Sequence, residues 1–521
     1  MFSVVTQLQA HIIKALERLG HTIDKDQIII EIPGNSEYGD YATNIAMRLA
    51  KAAKKSPPLI AKDLVAELEK DKAATAHFSF SIAGGFINVR ISDQYLIDLV
   101  LHQIGPDLGK KTVEKPQKVL LEFVSANPTG PLHIGHGRWA ALGDVLSRVL
   151  GHVGHTVTKE FYINDQGKQI DNLLKSVDAL RHGKPVPEDG YHGHYVHALA
   201  KSNEDPIQTL LAEQKQVLSS MGVPFDNWFS EKKLHAEGSV KRALELLKKN
   251  GAIEEKDGAV WFKSTLYGDD KDRVIIRENG EPTYFAADIA YHENKLERGF
   301  QQLINIWGAD HHGYIPRVKA ALKALTGDKD FDRLHVILGQ LVSLYRNGEP
   351  VKMSKRTGDM ITLQEVIEEI GVDATRYFLV SRSADTALDF DLEVAKKKND
   401  ENPVYYVQYA HARICSILRQ DGAQISGDIK KTSLDPLERQ LILMLVRIPD
   451  EIALMAKTYG IHRLTSLTQE LAAIFHRFYH EHRVLSDNKE DTLWRLTLIK
   501  AIREALKLIF NLLGISAPEQ M

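Results

Sequence analysis

KVLLEFVSANPTGPLHIGHGR, residues 118–138, decides the fold class. KVLLEFV is an almost wholly apolar run, the pattern of a strand buried on both faces of a parallel sheet. SANPTGPL supplies a turn through its Ser, Asn, Pro and Gly. A helix is expected from about Ile134 to Leu150, with Leu142, Val145, Leu146, Val149 and Leu150 on its apolar face and Gly151 as its C-cap. TVTKEFYI, residues 156–163, is the next strand and completes a βαβ unit. A strand-to-helix turn of this kind aims backbone N–H groups and a helix dipole at an anion above the sheet. Nucleotides bind in the crevice at the carboxyl ends of such strands.

Working outward, the polar, Gly- and His-rich stretch of about 165–272 interrupts the pattern and reads as an insertion. The pattern resumes with PTYFAADIAYHENKL (282–296), LINIWGADHHGYIPRVKAAL (303–322) and LHVILGQLV (334–342), each a strand entering a loop, a helix or both. A helix around Asp373 to Val380 closes the α/β region. Upstream, Val5, Leu8, Ile12, Leu16 and Leu19 recur at helical spacing. Asp40 is a candidate N-cap for a helix that stops before Pro57-Pro58, a second helix covers 59–70, and FSFSIAGGFINVRIS (78–92) suggests a hairpin around Gly84-Gly85. From about residue 402 strand signals vanish and four helix-periodic segments follow, a helical bundle. The expected organisation is an α+β domain at 1–106, a Rossmann-like parallel-sheet domain at 107–400 with its insertion, and an all-α domain at 401–521. A chain of 521 residues has room for three or four domains of about 150 residues each.

The formal net charge of −3 neither demands nor excludes a nucleic-acid partner. Residues 402–521 carry 15 Lys and Arg against 13 Asp and Glu, too even for an RNA-binding patch to be read from charge. The single cysteine, Cys415, excludes an internal disulfide and a multi-cysteine zinc site. It reads as a small apolar residue on a helix. The N-terminus lacks the basic and apolar regions of a secretory signal, and no apolar run approaches the ~20 residues of a membrane span. A cytoplasmic protein with no membrane partner is expected.

Two motifs carry chemistry. In His133-Ile134-Gly135-His136, the imidazoles can donate to phosphate oxygens as charge builds, and Gly135 lets an adenine approach the backbone. The bland alternatives are a metal pair or two surface histidines. Lys352-Met353-Ser354-Lys355-Arg356-Thr357-Gly358 follows the loop NGEPV and is either a solvated basic loop or a source of compact point charges for a departing pyrophosphate. No general base is needed if a carboxylate is the nucleophile, so positioning and electrostatics suffice.

HIGH followed by KMSK is similar to the signature pair of the class I aminoacyl-tRNA synthetases. FVSANPTGPLHIGHGR, FYINDQGKQI, TYFAADIAYHENK, WGADHHGY, GVDATRYFLVSR, NPVYYVQYAHARICSI, the N-terminal YGDYATNIAMRLAK and IAGGFINV, and the terminal LGISAPEQM resemble the bacterial arginyl-tRNA synthetases along essentially the whole chain. The resemblance implies activation of L-arginine with ATP, accompanied by Mg²⁺, and transfer to tRNA(Arg). No structural metal and a monomer are expected.

The resemblance assigns His133, His136, Lys352 and Lys355 to catalysis. It brings ATP to Ala126, Asn127, Pro128 and Gly130, to His133, Gly135 and His136, to Gly308, Asp310 and His311, and to Met353, Ser354 and Lys355. It brings arginine to Glu122, Ser125, Asn127, Tyr284 and Asp288. A guanidinium wants planar carboxylate partners. Tyr284 and Asp288 lie four apart at an expected strand–helix junction, and Glu122 is a charge inside an apolar strand. The alternatives are a capping Asp, a core Tyr, and a Glu paired with a protein cation. Asp310-His311-His312, flanked by Gly308 and Gly313, fits a tight loop at the crevice lip better than a metal site, and Trp307 reads as core.

The resemblance brings tRNA to Asn35, Tyr38 and Asn44 in the first domain. In the bundle it points to Tyr405, Tyr406 and Tyr409, which could stack splayed bases or stitch the bundle to the α/β domain. Competing readings are a class I synthetase of another specificity and a catalytically silent RNA-binding paralogue. A cysteine enzyme would want a thiolate zinc site that one cysteine cannot build. Intact His133, His136 and Lys355 argue against the silent paralogue.

Overall fold

The computed structural model describes residues 3–351, 361–420 and 428–521. Its centre is a five-stranded sheet of β1 Lys118–Glu122, β2 Thr156–Ile163, β3 Asn227–Ser230, β4 Gln302–Gly308 and β5 Leu334–Gly339 in the order β5-β4-β1-β2-β3. All four pairings are parallel. Strand order reverses between the neighbours β1 and β4, which opens a crevice at their carboxyl ends. Val119–Glu122 are buried, as the apolar run requires, and register sets Glu122 beside Asn305 of β4 and Glu160 of β2. β3 lies inside the stretch read as an insertion, so that stretch contributes an edge strand to the sheet.

Helix α1, Ile134–Val153, packs on β1 so closely that a Cβ at Gly143 would stand 2.3 Å from the Phe123 ring. It runs past the expected stop at Gly151 to a left-handed C-cap at Gly154, φ 117°. Tertiary contacts hold that extra turn: Val153 is buried and His152 Nε2 lies 2.9 Å from the Leu108 carbonyl. PTYFAADIAYHENKL contains no strand. Helix α2, Tyr284–Glu297, starts immediately after Thr283, and the preceding strand, Arg273–Ile276, joins a separate small sheet.

In the N-terminal region, helices surround a three-stranded antiparallel sheet of Tyr41–Thr43, Phe86–Ile91 and Phe78–Ala83. Asp40 is not a helix cap. A three-residue strand intervenes, Asn44 precedes the helix Ile45–Ala53, and Asp40 accepts from the Ile91 N–H at 2.7 Å and pairs with Arg439 of the bundle. The next helix begins at Pro57 rather than 59, because proline fits a first helical turn. The C-terminal region is the four long helices Pro403–Leu418, Pro436–Thr458, Arg463–Glu481 and Lys489–Leu513. Cys415 is buried in the first of these. Among the described residues no helix is long and apolar enough to cross a membrane.

Candidate active site

A cleft of about 1140 Å³ opens where β1 and β4 end. At one end, the His-Ile-Gly-His turn is a reciprocal cap built from imidazoles. His133 is the N-cap of α1, and its Nδ1 accepts from the Gly135 N–H at 3.1 Å. His136 Nδ1 accepts from the His133 N–H at 3.2 Å, and the rings stack at 3.7 Å. A ring nitrogen that accepts carries no proton there, which leaves Nε2 of each ring as the position for one. The turn is tied to the segment after residue 360. His133 bridges Thr362, the Leu363 N–H donates to the Leu132 carbonyl at 2.8 Å, and Thr362 and Glu365 line the cleft.

The loop from β1 into this turn is strained. Val124 has φ 68° and Ser125 φ 43°, and the Ser125 N–H closes a tight turn onto the Phe123 carbonyl at 3.0 Å. A β-branched residue in the left-handed region is a costly outlier, of the kind that persists at functional sites. Ser125 Oγ stabilises the turn by donating to Glu122 Oε1 at 3.0 Å and accepting from the Tyr162 N–H at 3.1 Å.

At the other end, Asp288 projects from the second turn of α2 onto the floor. Its Oδ2 accepts from the Tyr314 hydroxyl, and among the described residues no Lys or Arg forms a salt bridge with it. Burial, reinforced by the charges of Glu231 and Glu122 and only partly offset by the Tyr314 hydroxyl and Lys295, pushes its pKa up to about 7. Glu122, at the same floor, is matched: Lys295 Nζ, fully buried, lies 2.5 Å from its Oε2 and donates to Asn305 Oδ1 at 3.0 Å. Of the readings open for Glu122, the structure shows the pairing with a protein cation.

The structure brings Glu122, Ser125, Ala126, Asn127, Gly130, His136, Asp288, Gly308, Asp310 and His311 to the cleft. Pro128, His133 and Gly135 shape the loop and turn without lining it. Tyr284 does not join Asp288. It sits at the first residue of α2, 64% exposed, with its hydroxyl over Gly167. Trp307 is not wholly core, since it is half-buried and lines the cleft. Lys352, Met353, Ser354 and Lys355 lie outside the described residues.

The chain is similar to known proteins along nearly its whole length. Residues 98–189 and 212–410 match the model of the class I (R) tRNA synthetase catalytic domain, 6–91 that of the arginyl-tRNA synthetase N-terminal domain, and 407–521 that of the DALR anticodon-binding domain. The chain is 45% identical to arginine–tRNA ligase 1 of Halalkalibacterium halodurans, covering 99% of this chain and 98% of the relative. The chain belongs to the arginyl-tRNA synthetases. It is also 46% identical to the arginine–tRNA ligase of Geobacillus kaustophilus, over 95% of this chain and 94% of the relative. The arginyl-tRNA synthetase of Thermus thermophilus shares the fold, with a TM-score of 0.84 at 23% identity over 99% of this chain and 100% of that one.

Several residues of this arginyl-tRNA synthetase site escaped sequence reasoning. Tyr314, at the end of the quoted WGADHHGY, holds Asp288. Lys295 lies seven residues after Asp288 on α2, a same-face spacing that could have been noticed. Gln214 and Tyr195 have no motif, yet Gln214 Nε2 donates to the Asn127 and Gly130 carbonyls at 3.2 and 3.1 Å, and the Tyr195 hydroxyl donates to the Thr129 carbonyl at 2.9 Å. The residues read as RNA contacts lie elsewhere. Asn35 caps the short turn Ser36–Tyr38, Tyr38 is exposed, and Asn44 is half-buried. In the bundle Tyr405 and Tyr409 stack at 6.0 Å, Arg413 lies over both Tyr409 and Tyr479 at 4.7 Å, and Tyr406 packs on His476 at 4.8 Å.

Proposed function

We infer that this chain is an arginine–tRNA ligase: it condenses L-arginine with ATP to arginyl-adenylate and pyrophosphate, then passes arginine to the 3′ end of tRNA(Arg). The observation that carries the specificity is Asp288, a half-buried carboxylate that accepts from a hydroxyl and, among the described residues, forms no salt bridge with a Lys or Arg, the nearby Lys295 being paired with Glu122. A guanidinium is the planar cation that such an acceptor suits.

In the proposed arrangement Asp288 and Tyr314 receive the guanidinium. Glu122 borders it, and Ser125 and Asn127 hold the α-amino end. Tyr284, exposed at the start of α2, would reach arginine only by turning inward. The adenosine lies along Ala126–Gly130 and Gly135 and against Gly308, Asp310 and His311. The arginine carboxylate attacks the α-phosphorus and pyrophosphate leaves. The Nε2 protons of His133 and His136 then meet the developing charge, joined by Lys352 and Lys355 and by Met353 and Ser354 between them. The terminal hydroxyl of the RNA next attacks the activated carbonyl and AMP departs. Among the described residues no three His, Cys, Asp or Glu side chains converge as a metal cage, so Mg²⁺ would come with the phosphates of ATP.

The proposal assigns 107–400 to chemistry, with an insertion at about 165–272, and 1–106 and 401–521 to RNA. Asn35, Tyr38 and Asn44 would meet one part of the tRNA and the Tyr405, Tyr406 and Tyr409 surface another. Arg413 and Tyr479 beside those tyrosines give a stacking platform of the kind unpaired bases use. Cytoplasmic operation as a monomer completes the reading.

The test is arginine-dependent ATP–pyrophosphate exchange with and without tRNA(Arg), with Asp288→Ala as control. Exchange with arginine that the variant loses is expected. Exchange with a different amino acid would sink the specificity, and RNA binding without any exchange would favour a silent paralogue.

A further inference from the structure

The last helix of the bundle, Lys489–Leu513, ends against the catalytic domain. The final carbonyls of a helix have no partner within it. Here two arginines of the α/β domain take two of them: Arg148 donates to the Asn511 carbonyl at 3.1 Å and Arg376 Nε to the Leu513 carbonyl at 3.0 Å. Arg376 is fully buried and divides its guanidinium among three bodies. Besides Leu513 it reaches Asp144 Oδ2 of α1 at 2.6 Å and the Met221 carbonyl at 3.0 Å. Met221 caps the helix Pro206–Ser220. Two turns earlier on that helix stands Gln214, itself buried, which grips the Asn127 and Gly130 carbonyls of the strained loop. The fit at the far end is tight. Gly514 follows the last helix with φ 68°, and a Cβ there would stand 2.1 Å from the Arg376 guanidinium.

We propose that Arg376 and Gln214 are positioning residues that make the shape of the 125–131 loop depend on how the C-terminal helical domain is seated. The line runs from the end of the last helix through Arg376 to the end of helix 206–220, and through Gln214 to the loop. The links at Arg376 are buried hydrogen bonds and those at Gln214 are partly buried, so a shift at one end is passed on chiefly through protein groups. Packed elements of this kind move between discrete arrangements rather than deforming continuously. The inference rests on the reading of that loop as substrate-holding, and Asn127→Ala tests that reading separately through the KM values for arginine and ATP.

The test compares Gln214→Leu, Gly514→Ala and their double variant by melting temperature and by aminoacylation kinetics well below melting. Each single change is expected to lower kcat by about tenfold while KM for tRNA stays within about twofold. The double variant should be no slower than the worse single, because the second cut falls on a line already broken. Arg376→Lys, which keeps the charge and loses the fork, replaces Gly514→Ala if that variant does not fold. Multiplicative losses in the double variant, or a lowered melting temperature with kcat intact, would overturn the proposal. An unaffected Asn127→Ala would remove the loop's substrate role while leaving the non-additivity to stand or fall by itself.

Discussion

The two ends of the cleft are built on opposite terms. At the His-Ile-Gly-His turn, the groups that shape the end are satisfied within the chain: each Nδ1 accepts a backbone N–H, the rings stack, and Thr362 bridges the turn from outside. At the floor, the half-buried Asp288 carboxylate accepts from the Tyr314 hydroxyl and, among the described residues, has no Lys or Arg in a salt bridge with it. Glu122 sharpens the contrast, since it shares that floor and has Lys295 against it. A phosphate end needs donors fixed in advance, because reorganising them during reaction costs rate. A specificity end benefits from an unmet charge, because only the right ligand relieves it.

If the contrast holds, the largest loss comes from emptying the unmet end. Asp288→Ala should lower kcat/KM for arginine by about a thousandfold, because the guanidinium would be desolvated against no acceptor. Steady-state exchange at saturating ATP measures it, and a loss confined to ATP affinity would break the comparison. The matched carboxylate should respond differently. Lys295→Met leaves Glu122 buried without its cation and should cost about 3–5 kcal/mol of stability in denaturant titrations. Adding Glu122→Gln to it should return most of that loss. If the double variant is no more stable than Lys295→Met, Lys295 acts by packing on Tyr291 and Asn305 and not by matching Glu122.

A third effect is smaller and carries a sign. On the proposed role, arginine would pair with ionised Asp288, whose pKa is pushed up to about 7 by burial. Lowering pH from about 8 to about 6 should therefore raise KM for arginine about tenfold while KM for ATP changes little. The groups facing Asp288 are Tyr314, Glu231, Glu122 and Lys295, and burial pushes the Glu231 carboxyl up as well. A flat profile in that window would show that the floor is already discharged before arginine arrives.

The His-Ile-Gly-His turn was legible in the sequence and the floor was only partly so, for a physical reason. A strand, a turn and a helix succeed one another along the chain, so residues 118–138 announce their own geometry. Even there the imidazole cap was hidden, because histidine is not a usual N-cap residue. Asp288 was legible as a carboxylate near a helix start. Tyr284 misled because the rule that residues four apart share a face does not fix where a side chain in the first turn points. Lys295 meets Glu122 across 173 residues of chain, and Gln214 reaches Asn127 across 87, so neither pairing leaves a local mark. The short strand Tyr41–Thr43 was lost for another reason, since three residues are too few to show a period.

The smallest expected effect tests whether the unmet charge is a standing cost to the fold. In the unfolded chain an aspartate ionises near its ordinary value of 3.8, whereas folded Asp288 holds its proton up to about 7. Below the lower value both states are protonated and Asp288 costs nothing. Between the two values the unfolded state loses its proton first, so stability falls as pH rises, and above about 7 the cost is constant. Asp288→Asn removes the charge and keeps the shape and an acceptor for Tyr314. It should melt a few degrees above the parent at pH 8 without ligand and level with it near pH 4. Saturating arginine should stabilise the parent and not the variant, reversing their order. If the variant melts lower than the parent at pH 8 while staying level with it near pH 4, the Tyr314 contact with the ionised carboxylate outweighs the cost of burying it, and the floor is as well matched as the turn.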